Sequence, residues 1–333
     1  MLTYISPMQK WGSAQRSRFL MEALRRHGTL DVLVLNFVSR GEAEPGCTSS
    51  ELDGMRVLEL TIEKQGLLGR PRLDLPSEEI TRRVAQHVDL RGYDLIFSRY
   101  VKPALKLKLP PGVPLVVDFD DAWYEPPWST LRTLKMLAGA CLRLFNDRVL
   151  VQGALRLRSA KHAHFFFCSE RERRRFPYLA GSVLPNLPKP PAYPPGQGPD
   201  FMPPRVPALL FIGLLDYLPN RDAVDWFLAA IWPRVREAVP RARFLIVGSG
   251  EPGRLQSWAR QEGVEALGFV DSLADAYAQS SVAVVPMRSG GGTNIKALEP
   301  YLYGRAVVAT TTVRDGHGDL FREGQDMLCA DEA

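Results

Sequence analysis

Arg288, the glycines Gly290, Gly291 and Gly292, then Thr293, Asn294, Lys296 and Glu299 fall within one stretch of twelve residues. Glycines let a backbone approach a ligand closely and take φ values that other residues avoid. Thr293 and Asn294 are expected to open a helix, and the free N–H groups and positive dipole end of a helix favour an anion. Arg288 and Lys296 bring cationic donors to the same place. Lys296 and Glu299, three apart, share a helix face. A carboxylate one turn from a phosphate site is well placed to accept hydrogen bonds from two ribose hydroxyls. A glycine turn with a surface Lys–Glu pair is the bland alternative, and it leaves the convergence of four polar features unexplained. Pro300 costs a helix interior ~3 kcal/mol, so the helix is expected to bend or begin tightly there.

Other stretches compete for the chemistry. "GSGEPG", Gly248 to Gly253, matches GxGxxG after the strand-like "RFLIVGSG", and Asp271 lies near the spacing of a ribose-binding acid. Pro252 interrupts the turn, and the earlier run "ALLFIGLLDY" lacks such glycines, so a packing turn is the favoured reading. "DFDD", Asp118 to Asp121, closes "PLVVDFD" and puts Asp118 and Asp120 on one strand face, where a divalent metal could meet a diphosphate. Carboxylate pairs at strand ends are common and Asp121 could cap the next segment, so metal binding is the minority reading. His162 and His164 alternate on a strand without a third ligand. His317 sits on a loop of the second half.

The elements that must position these residues alternate between strand and helix twice over. The first half carries "LTYIS", "LDVLVLNF", "DLIFSRY", "PLVVDFD" and "HAHFFFCS"; the second carries "ALLFIG", "RFLIVGSG", "EALGF", "VAVVPM" and "RAVVATT". Helical patterns such as "AQRSRFLMEALRRHG" and "NRDAVDWFLAAIWPRVREAV" lie between them. Ten of the 27 prolines fall between Pro185 and Pro207, a density no helix or central strand tolerates. The expectation is an α/β protein of two doubly wound, Rossmann-like domains facing a cleft. They would be an N-terminal domain over 1–185, a proline-rich linker over 186–206 and a C-terminal domain over 207–333. A length of 333 residues agrees with two domains.

Hydrophobic residues at 45% and charged residues at 24% describe a globular chain rather than a disordered one. Four scattered cysteines without a CxxC pair, no visible leader and no apolar run of about 18 residues point to a cytoplasmic protein. Residues 1–185 hold 28 Lys/Arg against 20 Asp/Glu, and the remainder 14 against 17. A basic first half suits an anionic partner such as a phosphate-bearing acceptor or the inner face of a membrane. The amphipathic, basic "LRTLKMLAGACLRLF", residues 131–145, fits peripheral membrane contact, although packing on the sheet is the favoured reading.

At these residues the chain resembles the GT-B-fold glycosyltransferases, specifically glycosyltransferase family 4. The stretch from "FIGLLDYLPNRDAVDWFLAAIW" to "RFLIVGSG" is similar to the family's opening of the donor domain. "ALGFVDSLADAYAQSSVAVVPMRSGGGTNIKALEPYLYGRAVVATT" is similar to its nucleotide-sugar site, "VLPNLP" to its domain junction, and "SPMQKWGSAQRSRF" to its first N-domain loop and helix. The resemblance implies that Arg288 and Lys296 bind the donor diphosphate and that Glu299 holds the ribose. Gly290, Gly291, Gly292, Thr293 and Asn294 would offer donors to the diphosphate. Gly268, Phe269 and Val270 would lie beside the base, Gly12 in the loop over the donor, and Arg16, Asp118 and Asp121 on the acceptor side. There are departures. Gly291 stands where many members have a glutamate near the sugar, "GLLDYLPN" lacks their basic pair, and the chain stops at "DMLCADEA" without their final crossover helix.

The activity implied is transfer of a sugar from a nucleoside-diphosphate sugar to an acceptor hydroxyl with retention, with no metal and no cofactor beyond the co-substrate. The acceptor would be a saccharide, a lipid-linked group or a small molecule, and nucleic acid is not expected. A metal-dependent transferase using Asp118 and Asp120 is the runner-up, and a nucleotide-sugar-binding protein without transfer activity is the binding-class alternative. A dinucleotide oxidoreductase is a distant fourth.

Overall fold

The structure, a computed structural model, describes residues 1–7, 12–39, 41–63, 77–120, 134–191, 202, 204–290 and 293–332. Asp121, Gly291 and Gly292 lie outside the described residues. The described chain forms two compact units that meet in sequence between Pro185 and Asn186.

The first unit is an eight-stranded sheet. Its strands are β1 (Leu2–Thr3), β2 (Asp31–Val38), β3 (Gly46–Leu52), β4 (Met55–Glu63), β5 (Ile96–Arg99), β6 (Leu115–Phe119), β7 (His164–Phe167) and β8 (Gly181–Val183). Their order is β3-β4-β2-β1-β5-β6-β7-β8, and every pair is parallel except β3 with β4. The apolar runs of parallel strands bury both faces, and Leu35, Val117, Phe165 and Phe167 are buried at its core. Sequence reading overlooked the β3–β4 hairpin. Its signal was Asp53-Gly54, which joins Leu52 to Met55 with φ of 51° and 76°, a two-residue loop that needs positive φ at both positions.

The second unit contains β9 (Ala208–Ile212), β10 (Arg243–Val247), β11 (Val264–Gly268), β12 (Val282–Val285), β13 (Ala306–Ala309) and β14 (Leu328–Cys329). All are parallel, in the order β11-β10-β9-β12-β13-β14. The chain winds outward from β9 in one direction, then returns to β12 and winds in the other. The reversal between β9 and β12 is the switch point at which such sheets bind ligands, beyond the carboxyl ends of the strands. The stretch from Leu218 to Ala238 is helical throughout, with a π segment over Phe227–Ile231. Pro233 accounts for that segment, because it lacks an N–H and crowds the carbonyl four residues earlier.

Candidate functional site

Of the residues singled out in the sequence, Arg288, Gly290, Thr293, Asn294, Lys296 and Glu299 follow β12, at the β9–β12 switch point. β9 runs out into Gly213 and, through a short loop, into the helix Leu218–Trp226. β12 runs out through Met287 into Arg288 and Gly290, whose φ of 134° is glycine territory. The two exits supply complementary partners. Lys296 Nζ donates to Asn220 Oδ1, lies 3.8 Å from Met287 Sδ and stands 4.9 Å over the Phe211 ring. Arg288 donates from Nη2 to Asp222 Oδ1 at 2.6 Å and from Nε to Asp222 Oδ2 at 3.2 Å, with its guanidinium 5.2 Å over Trp226. Among the described residues no carboxylate lies within ion-pair distance of Lys296, and burial of its ammonium pushes its pKa down to about 7.

Glycines make this crowding possible. A Cβ on Gly213 would sit 2.8 Å from Asn220 Nδ2 and 3.1 Å from Lys296 Nζ. One on Gly248, at φ 141°, would sit 1.7 Å from the Gly213 carbonyl oxygen, so the two strand ends approach this closely only with glycine at 248.

Glu299 is 7% exposed and accepts a 3.1 Å bond at Oε2 from the Tyr277 hydroxyl. Burial raises its pKa, and the tyrosine bond opposes the rise. Thr293 Oγ1 accepts from Asn186 Nδ2 at 2.8 Å, and the Asn294 carbonyl lies 3.2 Å from His317 Nε2. Burial lowers the pKa of His317 to about 4, so near neutral pH it is the neutral ring, donating to that carbonyl. The Ser289 hydroxyl is buried with no hydrogen-bond partner among the described residues. Gly268 ends β11 at φ 69°, and beside it Phe269 is 55% exposed.

The expected helix from Thr293 is corrected. Residues Ile295–Ala297 form a 3₁₀ turn and only Glu299–Leu302 are α-helical. The reason is Pro300, which has no N–H to reach the Lys296 carbonyl four residues back. The bonds that form instead, Ala297 N to Asn294 O and Leu298 N to Ile295 O, are i→i−3. So short a helix has little macrodipole, and attraction for an anion here falls to the side-chain cations and loop N–H groups.

The competing stretches have other occupations. In "GSGEPG" the helix Pro252–Ala259 is capped by Glu251, whose carboxylate accepts from Gly253 N at 2.8 Å and Arg254 N at 2.9 Å. A carboxylate already fills the place a phosphate would take, and the glycines serve strand packing. Asp118 is fully buried between two arginines. Its oxygens accept from Arg16 Nη2 at 2.6 Å and Arg16 Nε at 2.9 Å, while Arg99 Nη1 lies 2.8 Å away as an ion pair without hydrogen-bond alignment. Asp120 accepts from Arg99 Nη2 at 2.8 Å. Arg16, on the helix Gly12–Arg25, also donates to the carbonyls of Leu184 and Pro185. Arg16 and Asp118 are therefore interior groups of the first unit. His164 Nε2 lies 3.0 Å from Ser182 Oγ.

Sequence reasoning missed Asn220, Asp222, Tyr277 and Tyr100. Asn220 and Asp222 lie in a helix opening, and nothing local marks their reach across 76 and 66 residues to Lys296 and Arg288. Tyr100 follows Arg99 at the carboxyl end of β5 with φ 72°, rare for a bulky residue, and its ring lies 3.9 Å from the Arg99 guanidinium.

Residues 206–333 match the family described as Glycosyl transferases group 1. No curated protein sequence matches the chain. Among solved structures it is similar to WaaG, a glycosyltransferase involved in lipopolysaccharide biosynthesis, at 13% identity and TM-score 0.60 over 95% of this chain and 82% of that one. It is similar to Anabaena Alr3699/HepE, solved in complex with UDP and glucose, at 13% identity and TM-score 0.59 over 99% and 85%. A trehalose-6-phosphate synthase follows at 14% identity and TM-score 0.52 over 93% and 83%. The chain spans 41% of the length of a further match, TarM. Two parallel-sheet units with these likenesses define the GT-B fold class. Within the chain, the likeness to the group 1 glycosyl transferases covers residues 206–333. Among the described residues no helix is long and apolar enough to cross a membrane.

Proposed function

We propose that the protein transfers a sugar from a nucleoside-diphosphate sugar to an acceptor hydroxyl, with retention and without a metal. The observation that carries this is Lys296: an ammonium enclosed by an amide, a thioether and a ring, with no carboxylate against it among the described residues. Burying a cation without a counter-anion is costly, and a diphosphate supplies the missing charge. Arg288 stands beside the same strand exit, and Glu299 Oε1 is left for a ribose hydroxyl while Tyr277 holds Oε2.

During transfer, charge builds on the leaving diphosphate. Cations fixed in a dry site stabilise that charge more than they stabilise the ground state, which is the basis of the rate gain. The departing phosphate oxygen can take the acceptor proton, so the reaction needs no protein base. Retention is in keeping with the similar trehalose-6-phosphate synthase, studied for glycosyltransfer with retention. UDP and glucose in the similar HepE make a UDP-sugar the first donor to try. Metal independence is supported by the state of Asp118 and Asp120, whose carboxylates are committed to Arg16 and Arg99.

A thermal-shift screen across UDP-, GDP-, ADP- and dTDP-sugars, followed by hydrolysis of the best donor with and without EDTA, tests the reading. Stabilisation by one class and EDTA-resistant turnover are expected. Activity abolished by EDTA and restored by manganese would transfer the role to a metal, and binding without any turnover would favour a sugar-nucleotide binder.

A further inference from the structure

The helix Leu218–Trp226 presents two acceptors from its opening turns to the two cations, and they differ in charge. Asn220 meets Lys296 through a neutral amide oxygen, while its Nδ2 is fixed on the Leu214 carbonyl at 2.8 Å, which settles which end of the amide faces the lysine. Asp222 meets Arg288 through a bidentate carboxylate. Asn220 is buried and Asp222 is 14% exposed, while the Arg288 side chain it holds is 35% exposed.

We propose that Asn220 and Asp222 are positioning residues that divide the charge of the diphosphate site. Asp222 neutralises Arg288 in the free protein, whereas Asn220 orients Lys296 without neutralising it, so Lys296 is the cation that answers to the diphosphate. The proposal rests on the donor-site reading above. The charged and titratable side chains of the same segments are engaged with other partners: Asp222 and Arg288 with each other, Glu299 with Tyr277, and His317 with the Asn294 carbonyl. Met287 and Phe211 complete the lining and carry no charge. The downward push on the Lys296 pKa agrees with this arrangement, since a facing carboxylate would have opposed it. The clearance at Gly213 serves the same pair, because any side chain there would part Asn220 from Lys296.

The test is an isosteric exchange, Asn220→Asp, set against Asp222→Asn. Lys296 ionisation is read in the ligand-free protein by competitive acetylation and mass spectrometry from pH 5.5 to 10, with circular dichroism to confirm folding. In the unaltered protein the midpoint is expected near the value of about 7. Asn220→Asp moves it up by about 1–3 pH units, as an opposite charge in contact does. Asp222→Asn leaves it in place, since that carboxylate serves Arg288. Calorimetric titration with UDP at pH 7 then shows weaker binding in Asn220→Asp, where the new carboxylate competes with the diphosphate. An unchanged midpoint in Asn220→Asp, or an equal movement in both variants, overturns the division of charge. Failure of the unaltered protein to bind UDP, GDP, ADP or dTDP instead overturns the donor-site reading, and the ligand-free midpoints are measured independently of it.

Discussion

Lys296 is where electrostatics and function meet at the scale of one residue. Its ionisation midpoint falls from 10.5 to about 7 because its ammonium is desolvated. An unfolded chain would hold that proton up to the ordinary value. Between about 7 and 10.5 the unfolded state therefore binds more protons, and stability contributed by this group rises with pH through the window. Lys296→Met should accordingly raise the melting temperature at pH 6 to 7, with the gain shrinking toward pH 10; no gain at pH 6 would show that the ammonium is solvated. Donor binding runs the other way. A nucleotide sugar has a fully ionised diphosphate across this range, so its affinity follows Lys296. Affinity should be full below pH 7 and fall by about tenfold per unit above it, until the midpoint of the complex is reached. A flat profile from pH 6.5 to 9 in titration calorimetry would separate the lysine from the diphosphate.

At the scale of elements, strand exits carry the site and glycines decide how close those exits come. Gly213 and Gly248 invite opposite outcomes on substitution. Gly248→Ala meets backbone, the Gly213 carbonyl oxygen at 1.7 Å, in a conformation with φ of 141°. It should destabilise the second unit by more than about 4 kcal/mol, the range of severe backbone and packing defects. Gly213→Ala meets only side-chain ends, Asn220 and Lys296, which can shift. It should leave the denaturation midpoint nearly unchanged while weakening nucleotide binding several-fold. Equal stability losses in both would refute the distinction.

The strands of both sheets were largely legible because parallel strands read as apolar runs. Arg288, Lys296 and Glu299 stood out as candidates because charged residues just past such a run have few packing roles. The helix was misplaced at Thr293; of the two outcomes expected at Pro300, a bend or a tight start, the start is the one found, because Pro300 stops the α ladder from forming across 296–300. Asn220 and Asp222 were illegible for another reason, since their partners lie across a sheet and not along a helix.

At the scale of the whole molecule the two units hold charge differently. The first places Arg16, Arg99, Asp118 and Asp120 together in its interior, at the ends of β5 and β6 and on the helix Gly12–Arg25. The second holds Lys296 at its switch point with no carboxylate against it among the described residues. Buried ion clusters stabilise little as a whole, but removing one partner is costly because the remaining charges stay buried. Asp118→Ala should therefore cost about 3–5 kcal/mol. Hydrogen exchange should locate the loss in residues 1–185 and leave protection of β9, β10 and β12 intact. A loss below 1 kcal/mol, or one spread evenly over both units, would contradict a local buried cluster.

On the proposed function, the β9–β12 switch point binds a nucleoside diphosphate through Lys296 and Glu299. Calorimetric titration of the best nucleotide into the unaltered protein, Lys296→Ala and Glu299→Ala tests it most directly. Each lost charge-assisted bond is worth about 1.5–3 kcal/mol, so affinity should drop by about tenfold or more in both variants while each still unfolds cooperatively. Nucleotide affinity unchanged in both folded variants would contradict the assignment of the site.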